Sequence, residues 1–348
     1  MNDILIECVP NISEGRNLDI INAIVDSARK IDGVNILGCE PDSDYNRTVI
    51  TIAGHPDSVT KGAYEIILKS LELIDMRNHS GNHPRMGAVD VCPFVPLSEN
   101  SMEYCIKSAN NLSELIGNKV PHFFYGDAAS SKERYSLSKL RKMEYEGLEN
   151  RFNGGEWNDE NTRLPDRWSG KWGENESRFG AVAIGARNIL VAYNVNVNET
   201  DAKASKIAGS MIRTSGRLIK KDGKKMRING LLDHVQGMGV PLPSSSISQV
   251  SMNLQNVSET SMHMAFEAVK SIVNDHGVET CGSELVGLVP LSAMLDSGKW
   301  FCPDPENTSD EDLVQYAIDG LGLDYLRKFN PNLSIIEWAI ENRGAHDE

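Results

Sequence analysis

The 348-residue sequence has no run of roughly 18 consecutive apolar residues, so a membrane-spanning helix is not expected. It has no CxxC pair. Its six cysteines (Cys8, Cys39, Cys92, Cys105, Cys281, Cys302) are scattered, which suits reduced thiols in a cytoplasm better than a disulfide framework. Cations are in deficit: 35 Lys and Arg face 49 Asp and Glu, a formal net charge of −14. A chain this acidic is repelled by nucleic acid phosphates and anionic lipid unless its cations cluster on one face, so neither partner is expected. The N-terminal MNDILIEC has no basic segment and too short an apolar run for a secretory signal. With 40% hydrophobic and 24% charged residues the composition is that of a globular protein, and the length suits about two domains.

Residue periodicity gives the organisation. Ile4–Val9, Val34–Cys39, Arg47–Gly54 and Ala88–Cys92 read as strands, the last stopped by Pro93 and Pro96. Asn17–Ile31 and Pro56–Ile74 carry apolar residues at helical spacing, so the order is β-α-β-β-α-β, the split arrangement of ferredoxin-like sandwiches. A helix over Met102–Leu115, a strand over Pro121–Tyr125 and a polar helix over Lys132–Leu148 follow. The same order then returns: strand Asn188–Val197, helix Asp201–Thr214, strands Gly230–Gly239 and Ile247–Leu254, helix Thr260–Asn274, strand Glu279–Val289, with a helical tail over 309–343. The fold class expected is α/β, an α+β sandwich of two ferredoxin-like βαββαβ-type subdomains over 1–180 and 181–348, with a ligand cleft or tunnel between them.

Between Asn150 and Gly180 the chain has no period, yet it carries Trp157, Trp168 and Trp172. Plain linkers rarely hold large aromatics, so a functional loop is the better reading. Its rings suit stacking on a flat heterocycle or packing one half on the other.

The densest chemistry is Asn78–Pro96, with His79, His83, Arg85 and Asp90 among glycines and prolines. A helical His-His metal pair is disfavoured, because Gly81 intervenes and Pro84 pushes His83 out of helical geometry. A histidine on a Gly/Pro loop feeding a buried strand suits proton transfer near neutrality; a solvated loop histidine is the plain alternative. Three other segments have equally plain readings. Glu7–Arg16 turns from strand to helix through Asn11 and Ser13, either an anion-holding helix start or an ordinary cap. Pro41–Thr48 gathers Asp42, Asp44, Asn46 and Arg47. Leu218–Arg227 places five basic residues about Asp222-Gly223, a hairpin signal that is either solvated or draws an anionic substrate tail.

Together ECVPNISEGR (7–16), NRTV (46–49), HPRMGAVDVCPFVP (83–96), GARNILVAYNVNV (185–197), SELVGLVP (283–290) and LGLDYL (321–326) resemble the glutamate formimidoyltransferases, along essentially the whole chain. The resemblance implies transfer of the formimino group of N-formimino-L-glutamate to N5 of tetrahydrofolate, a co-substrate, in histidine breakdown, by a cytoplasmic homodimer without metal. It places the catalytic histidine at His83. It places folate contacts at Lys171, Trp172, Gly173, Glu174, Asn175, Glu176, Ser177, Arg178, Phe179 and Gly180, in a loop longer and more charged than in relatives. The chain stops where the transferase half of the animal bifunctional enzyme stops, so cyclodeaminase activity is not expected.

Under that reading a neutral His83 takes the proton of the attacking amine and returns it to the departing glutamate nitrogen. Arg85 and Arg47 are candidates to clamp carboxylates, Asn11 is a further candidate substrate contact, and Asp90 or Asp42 would orient the imidazole. The basic hairpin would favour polyglutamylated folate. Rival readings are a metal-dependent hydrolase of formiminoglutamate, a non-catalytic folate-binding protein, and a variant using N-formylglutamate.

Overall fold

The computed structural model describes residues 4–43, 45–81, 83–97, 101–221, 224–242 and 245–344. Asp44 and the Asp222-Gly223 turn lie outside the described residues. The chain divides into two compact units, 1–188 and 189–348.

The first unit is built on a mixed sheet of β1 (Ile6–Cys8), β2 (Asn11–Ile12), β3 (Val34–Asp42), β4 (Arg47–Gly54), β5 (Val89–Pro96), β6 (His122–Gly126) and β7 (Val182–Ala186). β1 and β2 are one strand interrupted at Val9-Pro10, and both pieces pair antiparallel with β4 on one side and β5 on the other. β3 pairs with β4, which completes the ferredoxin-like order; β7 and then β6 extend it in parallel beyond β5. Helices α1 (Leu18–Arg29), α2 (Pro56–Leu73) and α3 (Met102–Ile116) bury their apolar stripes against it. In α1 these are Ile21, Ile24, Val25 and Ala28, and Asn17 caps the start by accepting from the Asp19 and Ile20 N–H groups.

β5 runs through Pro93 instead of stopping at Cys92. Pro93 lies opposite the break in β1/β2, where the Val9 N–H donates to the Pro93 carbonyl at 3.0 Å. A proline is tolerated where the neighbouring ladder is already interrupted. β7, which the division at 180 would assign to the second half, lies inside this sheet. The expected helix over 132–148 is broken: short helical pieces at 137–140 and 148–152 flank Met143 and Glu144, whose φ values are +69° and +52°.

The second unit has a four-stranded antiparallel sheet in the order β11 (Val235–Leu242), β12 (Ile247–Leu254), β8 (Val191–Val197), β13 (Thr280–Val286). Helices Lys203–Ile212 and Met262–Asp275 supply the two crossovers, so the expected β-α-β-β-α-β order recurs. β9 (Arg217–Lys221) and β10 (Lys224–Ile228) form a separate hairpin. Among the described residues no helix is long and apolar enough to cross a membrane.

The loop that ends at Gly180 is joined to the start of β5 by a backbone seam. The Ala88 N–H donates to Phe179 O at 2.7 Å and the Ala181 N–H to Met86 O at 3.0 Å. A Cβ on Gly87 would lie 2.5 Å from Ala181 O and 2.6 Å from Phe179 O; Gly180, at φ +80°, would place one 2.2 Å from Met86 O. Only glycine at both positions lets the two chains close. Gly87→Ala is therefore expected to cost about 1–3 kcal/mol in urea unfolding. Gly170→Ala, with φ +87° but nothing within 4 Å of its Cβ, is expected to lose less, about 1 kcal/mol; equal losses would mean that the seam yields.

Candidate active site

Three loops that the sequence singled out meet at Asn46, which has φ +48°. Its Oδ1 accepts from the Gly15 N–H at 2.9 Å, its Nδ2 donates to Ser80 O at 3.0 Å, and its carbonyl accepts from His79 Nε2 at 2.9 Å. Ser13 ties the first loop to the third by donating to Gly87 O at 2.7 Å. Segments 7–16, 41–48 and 78–96 are therefore one structure at one end of the sheet, positioned by the starts of β4 and β5.

The two histidines of this cluster are held differently. His79 uses both ring nitrogens: Nε2–H donates to Asn46 O and Nδ1 accepts from Arg85 Nε at 3.2 Å. It has no lone pair left for chemistry. His83 is half-buried, with Nδ1 2.7 Å from Pro84 O. A carbonyl only accepts, so Nδ1 carries the proton and Nε2 keeps its lone pair. Burial, then the Arg47 cation, hold the His83 pKa below its ordinary value, against the Pro84 hydrogen bond. Its ring stands edge-on to Tyr45, centroids 5.7 Å apart. The arrangement is that of a neutral base with a fixed tautomer, and the group that hydrogen-bonds its ring is a main-chain carbonyl.

Asp90 is fully buried, and its Oδ2 accepts from Arg47 Nη1 at 2.7 Å and Arg141 Nη2 at 2.8 Å. Its Oδ1 accepts from the Met86 N–H at 2.9 Å. Arg47 Nε donates to Asn11 Oδ1 at 3.2 Å, and Asn11 Nδ2 in turn donates to Val9 O at 2.8 Å. Asp42 accepts from the Tyr45 N–H at 2.8 Å, closing its own turn. Arg85 is also engaged: Nη1 donates to Glu144 at 3.1 Å and Glu146 at 2.9 Å, and Nη2 to Glu146 at 2.5 Å. Hydrogen bonding to Glu146 raises the Arg85 pKa. A cavity of about 440 Å³ opens beside this pair, lined by His79, Ser80, Gly81, Met143 and the two glutamates.

The segment expected to touch folate runs along the same edge. Tyr145 donates its N–H to Arg85 O at 2.9 Å and its hydroxyl to Ser177 O at 2.5 Å. Lys171, Glu174 and Asn175 are exposed, and Gly173 and Ser177 half-buried. Glu176 accepts from the Gly173 N–H at 3.1 Å and from Ser169, Arg178 donates to Leu71 O and Glu72 O at the end of α2, and Phe179 is buried in the core. Trp168 and Trp172 pack on Phe152 at 5.0 and 5.6 Å. These rings therefore pack within the first unit. Lys220, Lys224 and Lys225 are exposed on the β9–β10 hairpin of the second unit.

Asn46 was among the residues that the sequence singled out; Arg141, Glu144 and Glu146 were not. These three fall in a stretch whose residue types suggest an ordinary polar helix. Among the described residues, no group of three or more His, Cys, Asp or Glu is placed to hold a metal ion.

A family model for the N-terminal subdomain of the formiminotransferase domain matches residues 5–187, and a second model for the formiminotransferase domain matches 192–341. The chain is 36% identical over 345 residues to the formimidoyltransferase-cyclodeaminase of Rattus norvegicus, covering 98% of this chain and 60% of that protein. It is 39% identical over 344 residues to the protein of the same name from Dictyostelium discoideum, covering 97% of this chain and 60% of that one. The chain thus spans about 60% of the length of these relatives. It is also 34% identical over 301 residues to the glutamate formimidoyltransferase of Streptococcus pyogenes, covering 85% of this chain and 93% of the relative.

Removing the Asp90 charge leaves two guanidiniums in the interior without a counter-ion. Asp90→Asn is expected to lower stability by about 3–5 kcal/mol, read as a shifted urea midpoint. A loss under about 1 kcal/mol would mean that the two arginines find other partners or water.

Proposed function

The chain belongs to the formiminotransferase family, and on that premise we propose that it transfers the formimino group of N-formimino-L-glutamate to N5 of tetrahydrofolate, with His83 as general base. The observation that carries the assignment of His83 is its ring geometry: Nδ1–H held by Pro84 O and Nε2 left as the basic atom. N5 attacks the amidine carbon and becomes cationic. His83 Nε2 takes the N5 proton. The imidazolium then delivers a proton to the glutamate nitrogen as the carbon–nitrogen bond breaks, releasing L-glutamate and 5-formiminotetrahydrofolate. Donors and acceptors balance without a redox partner.

On this reading the first unit carries the base and the folate contacts lie along 171–180, where Lys171, Glu174 and Asn175 offer exposed polar groups; the seam of Ala88 with Phe179 and Ala181 with Met86 joins the end of that segment to the start of β5. The second unit carries an exposed lysine hairpin, whose local positive field in an acidic chain favours an anionic polyglutamyl tail. The same reading makes the protein a cytoplasmic homodimer; scattered thiols and the absence of a disulfide among the described residues are in keeping with the first point.

The experiment is glutamate release from formiminoglutamate with and without tetrahydrofolate, each with and without EDTA. Folate-dependent release that ignores the chelator supports the transferase. Folate-independent release abolished by EDTA would assign the hydrolase, and no release would assign the folate-binding protein or a formyl donor.

His83→Ala is expected to lower turnover by about two to four decades with the fold intact, and an unaltered turnover number would remove His83 from the mechanism. Because the His83 pKa lies below the ordinary ~6.5, the base is neutral across the neutral range. The rate should therefore be flat near pH 7 and fall only as acid titrates the ring below that value. A limb centred above 7 would assign the proton transfer to another group.

Replacing Lys220, Lys224 and Lys225 by Gln is expected to weaken polyglutamylated folate severalfold more than the monoglutamate. Equal loss for both would make the hairpin solvated surface only.

A further inference from the structure

Two guanidiniums, Arg47 and Arg141, share the single buried carboxylate of Asp90, so the group carries one positive charge in excess. The side chains of Arg47, Arg141 and Asp90 are only 10%, 16% and 0% exposed. The Nε–H of Arg47 is spent on the neutral Asn11 oxygen. Among the described residues the Nε of Arg141 is buried with no hydrogen-bond partner. An under-compensated interior cation is costly, and a buried donor without an acceptor is uncommon; one anionic ligand relieves both.

The neighbourhood adds to the excess. The Tyr125 ring lies over Gly185, where a Cβ would come within 2.4 Å of it. Its phenol, buried in the same region, also feels the Arg187 and Arg141 charges. By contrast Arg85, the other guanidinium of this loop cluster, is already neutralised by Glu144 and Glu146.

We propose that Arg141, together with Arg47, receives a carboxylate of the glutamyl donor and so sets the donor against the His83 ring. The assignment rests on the transferase reading above and adds to it a binding residue from the segment between β6 and β7. A guanidinium fork held on one side by Asp90 is pre-oriented, and its remaining donors match the two oxygens of a carboxylate.

The test uses L-glutamate, the product, as probe and the His83 ring proton as reporter in an NMR pH titration of the full chain. The charged groups that act on this ring are Arg47, Arg141 and Asp90; the Pro84 carbonyl and the Tyr45 edge complete its contacts. In the wild type, saturating L-glutamate is expected to raise the His83 pKa, because the bound carboxylate cancels the excess cation. In Arg141→Gln the free protein's pKa rises at once, since a cation is gone. L-glutamate should then bind roughly ten- to a hundredfold more weakly, with KM for formiminoglutamate rising in step and kcat changing less.

A residue that only holds Asp90 would move the free pKa and leave the glutamate affinity alone, so an affinity within about twofold of wild type overturns the proposal. Should Arg141→Gln not fold, Arg141→Lys, which keeps the charge and loses the fork, decides in the same titration: affinity should fall at least severalfold, and an unchanged value overturns the subsite. Folate-dependent glutamate release by the wild type is measured alongside. Its absence overturns the transferase reading, while the L-glutamate titration still decides separately whether Arg141 binds a carboxylate.

Discussion

The site depends on a buried carboxylate at the head of the central strand. Asp90 fixes three things at once: the β4 start through Arg47, the segment after β6 through Arg141, and the turn before β5 through the Met86 N–H. Each of these is a loop end that would otherwise be free to move, and one interior anion orders all of them. Its hydrogen-bonding capacity is nearly spent in doing so, which is why no carboxylate is needed to steer His83. The imidazole takes its orientation from Pro84 O, one residue along its own backbone.

From that arrangement the electrostatics of His83 follow. A histidine beside a carboxylate would be pulled toward the imidazolium form, and part of it would be useless for accepting a proton. Here Asp90 is screened by the two arginines that it holds, and the ring feels Arg47 more strongly than Asp90. The His83 pKa is therefore held down by the same cluster that binds the loops together. His79, four residues away, has the same side chain and the opposite fate, because a backbone carbonyl and Arg85 take both its nitrogens. Position in a hydrogen-bond network, and not residue type, separates a ring with a spare lone pair from a brace.

Much of this was legible in the chain because β-branched runs bounded by turn residues carry their own signature. The two β-α-β-β-α-β passages were readable, and the loops at 7–16, 41–48 and 78–96 stood out by their residue types. What was not legible depends on partners distant in sequence. Val182–Ala186 is short and rich in Ala and Gly, buried along its whole length, and so shows no alternation. The failure of helix at Met143–Glu144 has no residue signal either, since neither type favours positive φ. What holds Glu144 there is Arg85, 59 residues earlier. β5 passes through Pro93 only because β1/β2 is broken opposite it, a fact about another strand.

The aromatic loop shows how a segment without period becomes ordered enough to flank a site. Arg151 is 1% exposed and has no carboxylate among its hydrogen-bond partners: its guanidinium donates to Leu140 O and Arg163 O at 2.7 Å and to Thr162 O. It lies 3.9 Å from the Trp157 ring centroid and 4.6 Å from that of Phe123. Burial and the nearby Arg134 and Arg163 cations push its pKa down, yet a guanidinium stays protonated in water-exposed and buried settings alike. The desolvation is offset instead by two aromatic faces, each worth about 0.5–2 kcal/mol, and by three carbonyls that would otherwise be unsatisfied. One cation thus ties β6, the turn after 137–140 and the loop at 157–163 into a single block. With the His83 loop fixed by Asp90 and the aromatic loop fixed by Arg151, the ordering entropy of both is met in folding and not on ligand binding, which is the condition for a site that acts by positioning.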